Sequence, residues 1–273
     1  MAIGDTALAP AGAVAGQHSS SLLQIENVTV KFGGIVALND VSFDVKEGEI
    51  QGLIGPNGAG KTTLFNCLSR LYVPNSGDIK FEGQSIMSAR VDQIAALGIG
   101  RTFQNLALFN TLSVSENVKI GCHCRSSGGI VSGMLSLPAS RQEERQIEDL
   151  AWELIEYLGL QDVAYVEVGD LPFGTQKKVE LARAMASQPK LLLLDEPAAG
   201  LNHNEVNVLA DLIKQINEQR GTTILLVEHH MGLVMSISDT VVAIDFGSKI
   251  GEGKPSDIQR NPEVIRAYLG SSA

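Results

Sequence analysis

Cysteine is scarce in this 273-residue chain: there are 3, too few for a disulfide framework, which fits a reducing, cytoplasmic setting. Cys67 falls inside a predicted helix and reads as a small buried filler, not a nucleophile. Cys122, His123 and Cys124 sit together, but no second ligand pair follows at zinc spacing, so they are not read as a metal site. Long apolar runs are also missing. Nothing approaches the roughly 18 apolar residues of a spanning helix, so any role at a membrane must come through a partner. Positive charge is short too, with 21 Lys and Arg against 31 Asp and Glu and a net charge of −10, which weighs against broad nucleic-acid binding. The first 20 residues lack the basic region and apolar core of a signal peptide and read as a flexible Ala/Gly/Ser tail ahead of one domain over 21–273.

What the chain does have is a changing rhythm. From Ser21 to Ile50 apolar and polar residues alternate, through Ile25, Val28, Val30, Val41, Phe43 and Val45, which predicts half-buried antiparallel strands. "EIQGLIG" then reads as a buried strand entering a Gly-rich turn, followed by a helix in "KTTLFNCLSRL". From about Arg90 to Ser187 the pattern is helical. Ile147, Leu150, Leu154, Ile155 and Leu158 share one face of a helix that stops near Gly159, with Trp152 expected in the core. Gly121 to Ser140, rich in Gly and Ser, reads as an insertion. After Lys190 strands alternate with helices again: "KLLLLDEP", "TTILLVEHH" and "DTVVAIDFG" are the strands. Alternation of this kind implies a mostly parallel sheet with helices on both faces and an inserted helical lobe at approximately 100–187.

"GPNGAGKTT", Gly55 to Thr63, carries the chemistry. Gly55, Gly58 and Gly60, with Pro56, Asn57 and Ala59 between them, let successive backbone N–H groups face phosphate oxygens, and the helix that follows aims its N-terminus at the same anion. Lys61 supplies a point charge to the β and γ phosphates. Thr62 offers a hydroxyl to Mg²⁺ and Thr63 a further donor, so ATP and Mg²⁺ are the expected cofactors. Asp195, at the end of "LLLLD", is placed to hold Mg²⁺ through water, and Glu196 to polarise the attacking water. His229 ends another apolar strand, where ligands bind in parallel sheets. His230 beside it is assigned to solvent or an interface.

These motifs, in this order, resemble the ATP-binding-cassette (ABC) ATPases from about Leu22 onward. The resemblance implies a P-loop NTPase α/β core with an antiparallel β subdomain and an inserted α-helical subdomain. It implies that Phe32 stacks on adenine, unless it is a core-strand residue. Gln104, in "RTFQNLALF", matches the switch glutamine that reaches Mg²⁺ and the water. Phe103, Leu108 and Phe109 beside it either dock a membrane partner or pack the helical lobe. In this family two cassettes form a head-to-tail sandwich, and each signature completes the opposite nucleotide site; Asn202 falls where that interface is crossed. The signature here, "DLPFGTQKK", keeps Leu171, Gly174 and Gln176 but has Pro172, Phe173 and Thr175 where Ser, Gly and Gln are usual. Pro172 can donate no hydrogen bond, yet the helix start near Gly174 still presents N–H groups.

A Leu-Pro-aromatic-Gly signature is similar to the ATPases of branched-chain and hydrophobic amino-acid importers, as are "LDEPAAGLN" and "NPEVIRAYLG". That implies an ATPase at the cytoplasmic face of the cell membrane, powering integral-membrane permease subunits. A second ABC ATPase, either a copy or a paralogue, and a periplasmic or extracellular binding protein acting through the permease are the further implied partners. Transport of urea, amides or lipid, a soluble non-transport ABC ATPase and a regulator without turnover are the alternatives.

Overall fold

A computed structural model describes residues 21–103, 106–122 and 138–270, with backbone alone at 138–141 and 270. Two sheets form. Strands β1 (Ser21–Phe32), β2 (Ile35–Lys46), β4 (Ser76–Phe81) and β5 (Gln84–Ser85) make an antiparallel sheet in the order β2-β1-β4-β5. The second runs β10-β9-β3-β8-β7-β6, from β3 (Ile50–Ile54), β6 (Ile99–Arg101), β7 (Leu191–Asp195), β8 (Thr223–Val227), β9 (Thr240–Asp245) and β10 (Ser248–Gly253). Only β10 is antiparallel to its neighbour there.

The all-apolar strands follow from burial on both faces. In β7, Leu192 and Leu194 enter one core, while Leu191 and Leu193 enter the other. β8 does the same, with Ile224 and Leu226 opposed to Leu225 and Val227. Successive side chains point to opposite faces, so a strand sandwiched between two cores must be apolar at every position. One core joins this sheet to the antiparallel sheet through α1 (Lys61–Leu68), whose Cys67 is fully buried with its thiol pushed up to about 11 by burial. The other core holds α3 (Val114–Gly121), α4 (Pro138–Tyr157), α5 (Phe173–Met185), α6 (His203–Arg220) and α7 (Met231–Ile237). α2 (Ile94–Leu97), α8 (Pro255–Ile258) and α9 (Pro262–Gly270) complete the elements named here.

The expected alternation of strands and the apolar face of α4 are found: Leu154, Ile155 and Leu158 are buried, and Ile147 and Leu150 pack against them. Two local readings differ. β6 follows α2 inside the stretch read as helical and pairs with β7; three residues are too few to show a strand period. Trp152 is 37% exposed and not in the core; its indole N–H donates to Glu156 at 2.7 Å and its ring stacks on Tyr165. The expected tail at 1–20, His123, Cys124 and most of the 121–140 insertion lie outside the described residues.

α3 crosses α5 closely at Gly121. A Cβ there would lie 2.1 Å from the Arg183 carbonyl oxygen and 2.8 Å from the Ala186 Cβ. Gly121→Ala should therefore destabilise the fold by about 1–3 kcal/mol, because backbone must move to admit one methyl. Urea unfolding of the two chains checks this, and a midpoint unchanged from wild type would contradict the packing.

Candidate functional site

β3, β7 and β8 run parallel in register, with Leu53 opposite Val227 and Val227 opposite Asp195. Their C-terminal ends therefore release Gly55, Glu196 and Glu228 onto one edge of the sheet, where a parallel sheet binds ligands. β6 joins them there with Arg101 opposite Leu193.

The loop from Gly55 to Gly60 links β3 to α1. It lies tight against neighbouring backbone: a Cβ at Gly55 would sit 2.1 Å from the Ile244 oxygen, and Gly60 combines a φ of 104° with the Ala37 oxygen 2.5 Å from its Cβ position. Only glycine meets both demands at Gly60. No side chain caps α1, so its first N–H groups remain directed at the loop. Lys61 is buried, and its ammonium donates to the carbonyls of Gly55 at 2.7 Å and Pro56 at 2.9 Å, which fixes the charge inside the loop. Burial pulls Lys61 below the usual lysine range, against the opposing fields of Glu196 and Asp195. Asn57, Gly58 and Thr62 are exposed, while Ala59 is buried and Pro56 and Thr63 are half-buried.

Asp195 is 2% exposed. Its Oδ2 accepts from Arg101 Nη2 at 2.8 Å, while the buried Oδ1 has no hydrogen-bond partner among the described residues. Burial pushes the Asp195 carboxyl above its ordinary range and Arg101 draws it part of the way back. Arg101 is anchored in turn by the Phe65 carbonyl, Asn66 and Ser69, through one nitrogen at 3.2, 2.9 and 2.9 Å. Glu196 follows with a positive φ of 49°, a conformation that costs a non-glycine residue energy. Its Oε1 lies 2.5 Å from His229 Nε2.

The site fits a nucleotide with Mg²⁺. The orphaned Asp195 oxygen and the Thr62 hydroxyl are hard oxygen donors, and no cluster of three or more His, Cys, Asp or Glu competes for a metal among the described residues. Mg²⁺ is commonly held by one or two protein oxygens with phosphate and water supplying the rest.

Other expected residues lie around this centre. Phe32 is 47% exposed at the end of β1 and meets Tyr72 edge-on at 5.2 Å, so it is not a core residue. Gln104 lies outside the described residues; Phe103 beside it donates its N–H to Glu180 at 2.9 Å. Phe103 and Phe109 are exposed, whereas Leu108 packs on the helical core. Phe103 also lines a cavity of about 370 Å³ with Leu71, Val91, Ile94, Arg101 and Arg183.

The signature residues gather at the start of α5. Leu171 is buried, Pro172 is the N-cap, and the N–H groups of Thr175 and Gln176 donate to the Pro172 carbonyl at 2.9 and 3.0 Å. Gln176 also returns its side-chain amide to the Leu171 carbonyl at 2.9 Å. Gly174 faces Glu205 of α6, whose carboxylate would meet a Cβ at 2.8 Å. Asn202 caps α6, accepting from the N–H groups of Asn204 and Glu205 at 3.0 and 3.1 Å. His230 has a local partner as well, since its ring nitrogen accepts from Leu233 N–H at 3.2 Å and caps α7.

Two residues escaped the sequence reading. Arg101 could have been suspected as a cation closing a strand just ahead of "TFQ". Glu228 could have been suspected as a carboxylate where an apolar strand ends, directly before His229. Neither has a spacing rule that reveals its partner.

A fold of this type with this edge defines a P-loop ATPase. The chain matches the family model described as ABC transporter over residues 38–199, and it belongs to that family as an ATPase. A second model, described as branched-chain amino acid ATP-binding cassette transporter, matches residues 248–273. The chain is 43% identical over 254 residues to the high-affinity branched-chain amino acid transport ATP-binding protein LivG of Salmonella typhimurium, covering 93% of this chain and 100% of the relative. It is 41% identical to BraF of Pseudomonas aeruginosa, a protein of the same description, over the same shares. Among solved structures it resembles the ADP conformation of MJ1267, an ATP-binding cassette of an ABC transporter. The TM-score is 0.80 and the identity 29%, over 92% of this chain and 99% of the other.

Arg101→Leu should cost about 3 kcal/mol of stability near neutral pH, because a buried carboxylate loses its partner. The folded Asp195 carboxyl, already raised by burial, would then lie further above its unfolded value. A carboxyl raised on folding binds its proton more tightly in the folded state, so acid favours the folded variant. The deficit relative to wild type should narrow as pH falls from about 7.5 to 5.5. Denaturant unfolding at both pH values checks this; a deficit that stayed constant would assign the loss to packing.

Proposed function

We propose that this chain hydrolyses MgATP to power the uptake of branched-chain or other hydrophobic amino acids through integral-membrane permease subunits. The observation that supports the transport assignment is the similarity, over 93% of this chain, to LivG and BraF, both named as branched-chain amino acid transport ATP-binding proteins. The hydrolytic assignment rests on the Glu196–His229 contact of 2.5 Å at the same sheet edge as the Lys61 loop.

In this reading the loop amides and Lys61 hold the β and γ phosphates. Phe32 stacks on the base. Asp195, Thr62 and Gln104 would hold Mg²⁺, which would supply charge neutralisation at the phosphate oxygens. Glu196 orients the attacking water and accepts its proton, while His229 fixes the Glu196 carboxylate and contacts the γ-phosphate. Leu171, Gly174, Thr175 and Gln176, at the N-terminus of α5, complete the nucleotide site of a second ATPase, a copy or a paralogue. The cavity at Arg101 and Phe103 receives a permease segment, and the chain works peripherally at the cytoplasmic face of the membrane. No helix among the described residues is long and apolar enough to cross it. A periplasmic or extracellular protein delivers the amino acid to the permease.

Glu196→Gln should bind ATP normally and hydrolyse it about 10²–10⁴-fold more slowly, the usual range for loss of a general base. Phosphate release measured beside nucleotide binding tests this; wild-type turnover would remove Glu196 from the mechanism. Phe32→Ala should weaken ATP binding by about tenfold, in line with about 1–3 kcal/mol for base stacking on an aromatic ring. Because the ring is largely exposed, the unfolding midpoint should hardly move. A stability loss with unchanged affinity would instead make Phe32 a packing residue. Co-purification from native membranes tests the partners, and recovery of ribosomes or DNA in place of permeases would overturn the transport assignment.

A further inference from the structure

We infer that Glu228 is a positioning residue for hydrolysis: its buried carboxylate ties the loop carrying Glu196 to the turn carrying His229 and holds that pair in register. The inference rests on the roles proposed above for Glu196 and His229.

The geometry is specific. Glu228 is 3% exposed, immediately beyond the end of β8. Its Oε1 accepts from the Ala198 N–H at 2.6 Å. Its Oε2 accepts from the N–H groups of His229 at 2.9 Å and His230 at 3.1 Å. One carboxylate therefore bonds three backbone donors on two segments that are 30 residues apart in the chain. A carboxylate this deeply buried is tolerated only when it is hydrogen-bonded, and here three backbone N–H groups of the two catalytic loops bond it.

The ladder explains why such a tie is needed. The last backbone bond joining the two segments is Glu196 N–H to the Val227 carbonyl at 2.9 Å. Beyond it the chains part, and each carries one half of the Glu196–His229 contact. Glu196 has the positive φ of 49°, and the His229 side chain is 43% exposed. Strained backbone persists where its surroundings over-determine it, and an exposed ring must be aimed through its main chain. Glu228 supplies both constraints, replacing the missing rungs of the ladder with side-chain bonds. None of its bonds goes to the Lys61 loop. Its loss should therefore act on turnover and leave nucleotide binding in place.

Glu228→Gln keeps the volume but turns one acceptor oxygen into an N–H₂ group facing an amide donor. In the purified full-length chain we expect kcat for MgATP to fall by about 10- to 100-fold, the cost of about 1 Å of misplacement. KM, and the Kd for a fluorescent ATP analogue, should stay within about twofold of wild type. In a His229→Ala background the same change should add less than about twofold, since residues acting through one another are not additive. Glu228→Asp, which keeps the charge but is one methylene too short to span both segments, should show the same kcat loss and guards against a glutamine variant that fails to fold. Wild-type kcat in either variant, an equal loss in the His229→Ala background, or parallel loss of Kd and kcat would each overturn the inference. Glu196→Gln and His229→Ala, measured alongside, separate the two levels. If both are slow and the Glu228 variants are not, only this inference fails. If either turns over at the wild-type rate, the site reading fails and this inference falls with it.

Discussion

Burial of β3, β7 and β8 on both faces confines the polar chemistry of this region to one edge. Every residue of β3 and β7 is buried, and β8 is buried throughout. A strand in that situation cannot place a catalytic group along its length without burying an unpaired polar atom. Where the strands end, the glycine-rich loop and the carboxylates begin at once: Gly55 follows Ile54, Asp195 closes β7 with Glu196 next, and Glu228 follows Val227. Parallel pairing in register brings these exits together. The apolar core and the ATP site are therefore two consequences of one arrangement.

Each charged group at that edge has a polar partner. Asp195 is answered by Arg101, Glu196 faces His229, and Lys61 is solvated by carbonyls of its own loop. A buried pair such as Arg101–Asp195 is a weak source of stability, since desolvation consumes most of the attraction. What it provides is orientation. Arg101 illustrates it: four hydrogen bonds to α1 and β7 hold its guanidinium 4.9 Å from the Phe103 ring. The residue that fixes the Asp195 carboxylate thus also lines the cavity proposed above to receive a permease segment. A shift of Phe103 has a short physical route to Asp195 through one side chain.

The sequence was most legible where a single chain segment carries its own rule. The Gly55–Thr63 loop, the buried strand "LLLLD" and the apolar face of α4 are local patterns, and their periods and spacings suffice. Arg101, Glu228 and the local partner of His230 were not legible, because each depends on a neighbour brought close by tertiary structure. Glu228 and Ala198 are 30 residues apart and Arg101 and Asp195 are 94 apart. No periodicity links such positions. Trp152 failed for another reason: a large aromatic suggests a core, yet its indole found Glu156 one helical turn away and its ring found Tyr165. Amphipathic aromatics are satisfied at half-exposed sites, so size alone misleads.

The unusual signature stretch "DLPFGTQKK" follows from the same reasoning about neighbours. Phe173 lies over Gly200, where a Cβ would sit 2.8 Å from its ring, and Gly174 faces Glu205. The ring of Phe173 is 5.7 Å from the buried Lys177 ammonium, which has no hydrogen-bond partner among the described residues and reaches Glu180 only at 3.7 Å. Glu180 in turn accepts the Phe103 N–H. The aromatic that displaces a small residue in the signature thus helps screen a cation whose partner steadies the segment leading to Gln104. Pro172 adds no donor, but it caps α5 with a fixed φ of −55° and accepts the N–H groups of Thr175 and Gln176 through its carbonyl. Phe173 is therefore matched to contacts inside this chain, and the Pro172 carbonyl takes up the N–H groups of Thr175 and Gln176, not those of Phe173 and Gly174. A degraded motif would be expected to leave such neighbours unmatched; here the Phe173 ring is packed against Gly200 in the loop after β7 and beside Lys177 of α5.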